Sequence, residues 1–194
     1  MNYSFFAFIS RMKNIDRWAL MRNSHKENVQ EHSHMVAVLA HALAVISRDI
    51  YGTDADPNAA AAAALFHDAS EILTGEMPTP VKYQNPDIMA AYKKVEKMAA
   101  EKLAGTLPKE MRPEYEILLD EEKNPQLEII KAADKLAAYI KCLEELRAGN
   151  DEFKSAAIQT RNKLYSLKMP EVEYFMNNFI AAFEMTLDEL NLDS

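Results

Sequence analysis

The sequence predicts an all-α protein, and three features support that prediction. Apolar residues recur three and four positions apart through almost the whole chain. Only four of the 194 residues are glycine, and no segment shows the alternating pattern of a half-buried strand. Hydrophobic residues make up 48% of the chain, enough to form a core, and no repeat or linker interrupts them. We therefore expect one domain over residues 1–194, a bundle of about seven to eight helices.

Capping residues and glycines mark the limits of the first helices. A short amphipathic segment covers about residues 4–13. Asn28, with a glutamate three residues later, forms a capping-box pattern that begins a helix ending near Gly52. The Asp56-Pro57 pair provides a cap and a first-turn proline. It begins an alanine-rich helix that we expect to continue through Glu71.

Prolines separate the remaining helices. Pro78 and Pro80 exclude regular helix after the alanine-rich segment, because a proline removes a helix hydrogen bond and clashes with the preceding turn. The later helices are expected at about residues 86–105, 108–120, 125–149, 151–167 and 170–190.

Charge and cysteine content restrict the class of function. The formal net charge is −8 and the isoelectric point about 5.2, so the basic surface typical of proteins that bind duplex nucleic acid or membranes is missing. The single Cys142 excludes an internal disulfide and a cysteine-based zinc site. The N-terminus lacks a signal-peptide pattern, and we find no run of about 18 apolar residues. We expect a cytoplasmic protein without nucleic-acid or membrane partners.

His32 lies in the middle of an apolar helix face. At about 100° per residue, Val29, Val36, Leu39 and Leu43 all fall within roughly 60° of it. Taken alone, an inward histidine is more often a core residue bonded to a backbone carbonyl than a metal ligand.

A second group of ionisable residues follows the longest apolar run of the chain. After six alanines the sequence reads LFHDASE. His67 and Glu71 are four residues apart and Asp68 and Glu71 three, so that all three side chains can converge at one helix end. A buried carboxylate without a partner costs several kcal/mol. The group therefore requires a cation nearby.

Asp134 is the third ionisable residue on an apolar face, together with Ile130, Ala133 and Ala137. By itself it fits equally well an ion pair with a lysine or arginine of another helix. Combined with the two histidines and Asp68, however, it completes a His2Asp2 donor set. Such a set suits Mn²⁺, Co²⁺, Fe²⁺ or Zn²⁺ better than Ca²⁺, and it leaves positions for water and substrate.

The order of these residues resembles that of the HD-domain metal-dependent phosphohydrolases. More narrowly, the chain resembles the bacterial 5′-deoxynucleotidases over nearly its whole length. The similarity is carried by the segments RMKNIDRWALMRN, ENVQEHS, HDASEILTGEMPTPVKY, KAADKLAAYIKCLEEL and AGNDEF. The resemblance implies an HD-domain helical bundle, one divalent ion such as Co²⁺ or Mn²⁺, and a homodimer that could use the apolar C-terminal segment.

The resemblance also implies roles for individual residues. The metal ligands correspond to His32, His67, Asp68 and Asp134, and all but His67 are also expected to contact substrate. Glu71 corresponds to the glutamate that orients or deprotonates the attacking water.

Arg17 and Trp18 correspond to residues that recognise the substrate, and Arg17 is also expected to be catalytic by offsetting negative charge on the phosphoryl oxygens. Arg17 matches the arginine that holds the phosphate, although an arginine in a polar loop more commonly forms a surface ion pair. Trp18 matches the residue that packs on the sugar and disfavours a ribose 2′-hydroxyl, although an isolated tryptophan more often fills a core. The substrate-contacting loop corresponds to Glu76, Met77, Pro78 and Thr79. The family pattern leads us to expect aspartate where this chain has Glu76.

The function we expect is hydrolysis of deoxyribonucleoside 5′-monophosphates to deoxynucleoside and phosphate, without a phospho-enzyme. One alternative is a phosphohydrolase of the same superfamily that acts on a nucleoside triphosphate or a cyclic nucleotide. The scarcity of basic residues near the motifs, where Arg17 and Lys82 are the candidates, argues mildly against a triphosphate. The other alternative is a non-catalytic helical binding module whose inward histidines and carboxylates pair with one another.

Overall fold

A computed structural model describes residues 2–78, 81, 85–120 and 123–190. Within these ranges it contains nine α-helices and no β-strand. They are α1 Phe5–Ile9, α2 Val29–Tyr51, α3 Pro57–Ala64, α4 Glu71–Thr74, α5 Pro86–Gly105, α6 Arg112–Leu119, α7 Leu127–Arg147, α8 Lys154–Ser166 and α9 Pro170–Asn178. The all-α prediction is confirmed, with nine helices where seven to eight were expected. One domain over residues 1–194 stays a prediction.

Helix α2 is the central element and packs most extensively against α3 and α7. Its predicted limits are confirmed: Asn28 and Glu31 form the capping box, and Gly52 ends the helix with a φ of 72°, a conformation that glycine adopts without strain. By length and composition alone α2 is apolar enough to cross a bilayer, so the prediction that no segment of the chain is long and apolar enough is wrong. Half of the most apolar 18-residue stretch of α2 is buried inside the protein, where it forms part of the core.

The alanine-rich helix is shorter than predicted. Helix α3 ends at Ala64, and residues 65–70 form tight turns before α4 begins at Glu71. The side chain of His67 hydrogen-bonds the carbonyl of Ala64 through Nδ1 at 2.7 Å, and such local bonds compete with continuation of a helix. The prediction that one helix carries His67, Asp68 and Glu71 is therefore wrong.

The predicted helix over residues 170–190 is also wrong in length. Helix α9 ends at Asn178, and a 3₁₀ helix follows at Ile180–Glu184. Two further 3₁₀ helices, Met12–Asn14 and Asp151–Phe153, precede α2 and α8.

Two apolar clusters meet at the ionisable residues. The larger includes Val36 and Ala64 and joins α2, α3, α7, α8 and α9. The smaller includes Val29 and Ala69 and lies against α1 and α5. His32 falls between the two clusters along α2, and His67 and Asp68 fall between them along the turns after α3. The ionisable residues thus occupy the junction of the two clusters.

Candidate active site

The first turn of α2 places His32 in the interior. Its side chain is fully buried, with Nε2 3.0 Å from Asp134 Oδ1 and 3.8 Å from Asp68 Oδ2. Nδ1 points the other way, 3.9 Å from Glu27 Oε1, and has no hydrogen-bond partner among the residues that the structure describes. The partners of His32 are carboxylates, and not the backbone carbonyl expected of an ordinary core histidine.

The turns after α3 direct His67 and Asp68 toward His32. Because the ring of His67 meets the Ala64 carbonyl through Nδ1, Nδ1 carries the proton that it donates, and Nε2 is left to act as a ligand. Nε2 is buried, lies 3.2 Å from Asp68 Oδ2, and makes no hydrogen bond within the described ranges. One ligand atom from each of His32, His67 and Asp68 lies within 4.8 Å of the others.

Asp134 reaches this group from α7. Its side chain is 40% exposed, more than its position on the apolar face suggested, and it contacts the group through His32. The structure therefore brings the ligand atoms of His32, His67 and Asp68 together from two segments, and Asp134 joins them from α7 through its contact with His32. Two imidazole nitrogens and two carboxylates, with the lone pair of His67 Nε2 otherwise unused, fit a divalent transition ion. The structure thus contains a candidate His-Asp metal site.

The charges of the site favour a cation. Burial lowers the pKa of His67, but the negative charges of Asp68 and Asp134 and the bond to the Ala64 carbonyl outweigh burial and raise the pKa to about 9. Burial raises the pKa of Asp68, but His67, Arg17 and His32 together hold it well below the usual range. Burial raises the pKa of Asp134, but the hydrogen bond and charge of His32, together with the charge of His67, outweigh burial and lower the pKa to about 2. A proton and a divalent ion would compete for the same nitrogen of His67.

Glu71 lies beside the candidate metal site at the start of α4. Its side chain is 7% exposed, and its buried Oε2 contacts no hydrogen-bond donor in the part of the chain that the structure describes. Burial, followed by the charges of Asp68 and Glu76, raises the pKa of Glu71 to about 9. A carboxyl group held in this way is suited to exchanging a proton with a nearby water.

A short antiparallel pairing places Arg17 at the same end of α2. The backbone N–H of Arg17 donates to the carbonyl of Glu27 at 2.8 Å, and that of Val29 donates to Ile15 at 2.9 Å. The guanidinium is 11% exposed, so the surface ion pair considered from sequence is wrong. Its Nη1 lies 3.3 Å from Asp68 Oδ2 and 3.0 Å from Glu76 Oε1. Burial lowers the pKa of Arg17, but the charges of the surrounding carboxylates outweigh burial. The pKa of the guanidinium is therefore raised above its ordinary value.

Trp18 is fixed by contacts on two sides. Its indole packs on Phe153, with ring centroids 5.3 Å apart, and its Nε1–H donates to Glu27 Oε2 at 3.0 Å. Its φ of 58° is uncommon for a bulky residue. Trp18 is half-buried and packs against the larger apolar cluster, so it is partly a core residue and partly available to a ligand.

Glu76 contacts the Arg17-Trp18 pair. In addition to its ion pair with Arg17, its carboxylate accepts a hydrogen bond from the backbone N–H of Trp18, while burial raises its pKa. Met77 and Pro78 are half-buried. Thr79, the last residue of the expected substrate loop, lies outside the described residues, as does Lys82.

Glu27 has no role predicted from the sequence, but the structure places it at the centre of the site. Its side chain contacts Arg17, Trp18 and His32. Its position directly before the capping residue of the helix that carries His32, within the segment ENVQEHS, was the available signal.

A buried cluster around Glu145, which was not predicted from the sequence, holds the loop after Trp18. Glu145 is 1% exposed and accepts hydrogen bonds from the backbone N–H groups of Ser24 at 2.8 Å and His25 at 3.2 Å. Lys141 donates to Glu145 at 2.6 Å, and Asn150 donates to Glu145 at 2.8 Å. The similar segments KAADKLAAYIKCLEEL and AGNDEF thus include the residues that anchor this loop.

A cavity of about 400 Å³ adjoins His67 and Asp68, within the size range of small-molecule sites. Lys93, Lys97 and Lys123 line it, together with acidic residues of α5 and α6. Basic residues are scarce near the motifs along the sequence, but the fold brings these three lysines close to His67 and Asp68. Cys142, by contrast, is buried and has a pKa raised to about 12, so its thiol is not a nucleophile.

Solved structures share this fold. An HD-domain phosphohydrolase from Listeria innocua matches with a TM-score of 0.81 and 24% identity, covering 93% of this chain and 88% of that one. An HD phosphohydrolase of cyanophage S-2L, solved with dA and one catalytic Zn²⁺ ion, matches with a TM-score of 0.55 and 21% identity over 90% of this chain and 95% of that one. These matches confirm the predicted HD-domain fold.

Sequence relatives are closer. A 5′-deoxynucleotidase of Yersinia pseudotuberculosis is 49% identical over 192 residues, 98% of each chain. One of Yersinia pestis is 48% identical over the same share. The family model described as "5′-deoxynucleotidase YfbR-like" matches residues 4–183. The chain therefore belongs to the YfbR-like 5′-deoxynucleotidase family.

Proposed function

We propose that this chain hydrolyses deoxyribonucleoside 5′-monophosphates to the deoxynucleoside and inorganic phosphate, with a divalent ion held by His32, His67, Asp68 and Asp134. One observation carries the proposal. The ligand atoms of His32, His67 and Asp68 lie within 4.8 Å of one another, next to the buried carboxyl of Glu71. The activity is that of the family to which the chain belongs.

The two histidines and two aspartates would hold the ion at the junction of the apolar clusters. When bound, a divalent ion supplies positive charge that polarises a phosphate oxygen and lowers the pKa of water. Co²⁺ and Mn²⁺ suit this donor set, as does the Zn²⁺ found in the cyanophage phosphohydrolase.

Glu71 and Arg17 provide the remaining chemistry. In its ionised form Glu71 accepts the proton of the attacking water through its buried Oε2. Burial favours the neutral carboxyl, and the positive charge of a bound ion would favour the ionised form. Arg17 donates hydrogen bonds to the phosphate oxygens and offsets charge that develops on them during in-line displacement. Its present contacts with Asp68 and Glu76 hold it within reach of the site.

Trp18, with the loop of Glu76, Met77, Pro78 and Thr79, would select the deoxynucleoside. The indole is held by Phe153 and Glu27, and a rigid aromatic surface leaves no room to adjust to an added 2′-hydroxyl. Such exclusion is a matter of shape, so that we expect moderate discrimination.

Two further properties belong to the proposal. The exposed Phe179 and Leu187, which follow α9, provide apolar surface for a homodimer, and light scattering of the purified protein would measure its mass. The cytoplasm is the proposed compartment, in keeping with one buried cysteine.

The first test is a substrate and metal panel. Chelated protein would be supplied with Co²⁺, Mn²⁺, Zn²⁺ or Mg²⁺ and assayed for phosphate release from deoxyribo- and ribonucleoside monophosphates, dATP and a cyclic nucleotide. We expect release from deoxyribonucleoside monophosphates and dependence on an added transition ion. Because lysines line the adjoining cavity, dATP is the informative competitor: faster release from dATP would favour the triphosphatase alternative. Tight metal binding without turnover of any substrate would favour the binding module.

A further inference from the structure

Glu27 contacts three residues of the site with one side chain. Its Oε2 accepts hydrogen bonds from Arg17 Nε at 3.3 Å and from the indole Nε1–H of Trp18 at 3.0 Å. Its Oε1 lies 3.9 Å from Nδ1 of His32. The side chain is only 17% exposed. One carboxylate therefore faces the residues proposed to recognise phosphate and sugar and a proposed metal ligand.

The contact with Arg17 sets the direction of the guanidinium. With Nε held by Glu27, Nη1 projects toward Asp68 and Glu76. A guanidinium is planar, so that fixing Nε also fixes the plane in which the remaining N–H groups are presented to a phosphate.

The contact with Trp18 sets the rotation of the indole. Packing on Phe153 restrains the ring from one side, and the hydrogen bond to Glu27 restrains its polar edge. The same oxygen that orients the phosphate-binding group thus orients the surface proposed to face the sugar.

The contact with His32 is electrostatic, since 3.9 Å exceeds a hydrogen-bond distance. Nε2 faces the carboxylates of Asp134 and Asp68. A metal ion bound at Nε2 would leave the ring proton on Nδ1, and the negative charge of Glu27 would stabilise that tautomer. Mutation of the outer partner of a metal-binding histidine commonly lowers metal affinity or activity 10–100-fold.

We propose that Glu27 is a positioning residue that couples recognition of phosphate, sugar and metal in this site. The inference rests on the proposed function, which gives Arg17, Trp18 and His32 their roles. A single change at Glu27 would accordingly reduce the rate and also the preference for deoxyribose, whereas ordinary loss of stability would reduce turnover of both substrates in proportion.

Glu27→Gln is the test variant, because it keeps the size of the side chain and removes its charge. The pairing of the Arg17 N–H with the Glu27 carbonyl is made by the backbone and remains. Glu31→Gln is the matched control: Glu31 lies in the first turn of the same helix, is exposed, and contacts only its capping partner among the described residues. Both full-length variants would be measured with Co²⁺ against dAMP and AMP.

In Glu27→Gln we expect kcat/KM for dAMP to fall by about tenfold or more, and the ratio of kcat/KM for dAMP to that for AMP to fall by about threefold or more. Glu31→Gln should retain the wild-type ratio. An unchanged ratio in Glu27→Gln would overturn the coupling, whether or not both rates decline.

Trp18 is the only tryptophan of the chain, so its fluorescence reports the same contact without catalysis. In Glu27→Gln we expect a red-shifted emission and stronger quenching by acrylamide, and weaker Co²⁺ binding by calorimetry. If the wild type hydrolysed no nucleotide, the proposed function would fail, and these two measurements would still decide the positioning role. Emission and Co²⁺ affinity equal to those of the wild type would overturn it.

Discussion

The Nε2 atom of His32 lies 3.0 Å from Oδ1 of Asp134, although the two residues are 102 positions apart in the sequence. The contact joins the first turn of α2 to α7, the two longest helices that the structure describes. His67 and Asp68 enter the same space from the turns after α3. The site therefore depends on the packing of these helices. Substitutions within the site should reduce metal binding or turnover, whereas substitutions on the exposed faces of the helices should not.

Asp68→Asn should abolish metal binding and turnover together. Asp68 Oδ2 lies near both histidines and Arg17, and an amide removes the charge that offsets theirs. We expect activity to fall by more than about 100-fold, with metal content measured by mass spectrometry of the purified protein. Asp49→Asn is a suitable control because Asp49 is exposed and pairs with Arg48. Full activity of the wild type after chelation would contradict the role of the metal.

Glu71→Gln should retain the metal and lose turnover. The amide fills the same buried space, but it cannot accept a proton from water, so we expect kcat to fall by about 10²–10⁴-fold. Steady-state kinetics and metal analysis of one preparation would measure both properties. Glu128→Gln, at an exposed position of α7, should behave as the wild type. Unchanged kcat in Glu71→Gln would assign the proton to another group.

Trp18→Ala should narrow the difference between deoxyribo- and ribonucleotides. Removing the indole leaves room for a 2′-hydroxyl, and we expect the ratio of kcat/KM for dAMP to that for AMP to fall by about tenfold. Trp18→Phe keeps an aromatic ring beside Phe153 and should retain more of the preference. A ratio unaltered in both variants would remove Trp18 from substrate selection.

Glu145→Ala should destabilise the protein by about 3–5 kcal/mol, because it leaves Lys141 buried without its carboxylate partner. Chemical denaturation would measure the free energy of unfolding. Changing Lys141 to Met in the same chain should recover part of the loss, since the buried charge is then removed. Equal stability of Glu145→Ala and the wild type would contradict the importance of the pair.

Glu145 should also make the stability of the protein depend on pH. Burial raises the pKa of Glu145, but hydrogen bonds from Lys141, Asn150 and the Ser24 and His25 backbones hold it well below the usual range. A lowered folded-state pKa contributes stability above the unfolded value of about 4.3, and that contribution is lost as the pH falls toward the folded-state pKa. The free energy of unfolding should therefore decrease below about pH 5, and less steeply in Glu145→Gln. If the free energy of unfolding changed with pH equally in Glu145→Gln and in the wild type, Glu145 would not be the source of the pH dependence.

The sequence by itself determined the properties that depend on neighbouring residues. The capping box at Asn28 and the glycine at position 52 bound α2 as predicted, and helical periodicity placed His32 inward, where it is fully buried. The motifs also indicated the family, since they record residue types in order and need no coordinates.

Only the tertiary structure decided how distant residues meet. Helix α3 ends at Ala64, and the turns after it direct His67 and Asp68 toward His32 of α2. Glu145 accepts a hydrogen bond from Ser24, which is 121 positions away. The lysines beside His67 and Asp68 are two residues of α5 and Lys123. Periodicity reports which face of a helix is buried, but not which charge lies opposite it. Those partners are chosen by the packing of the helices.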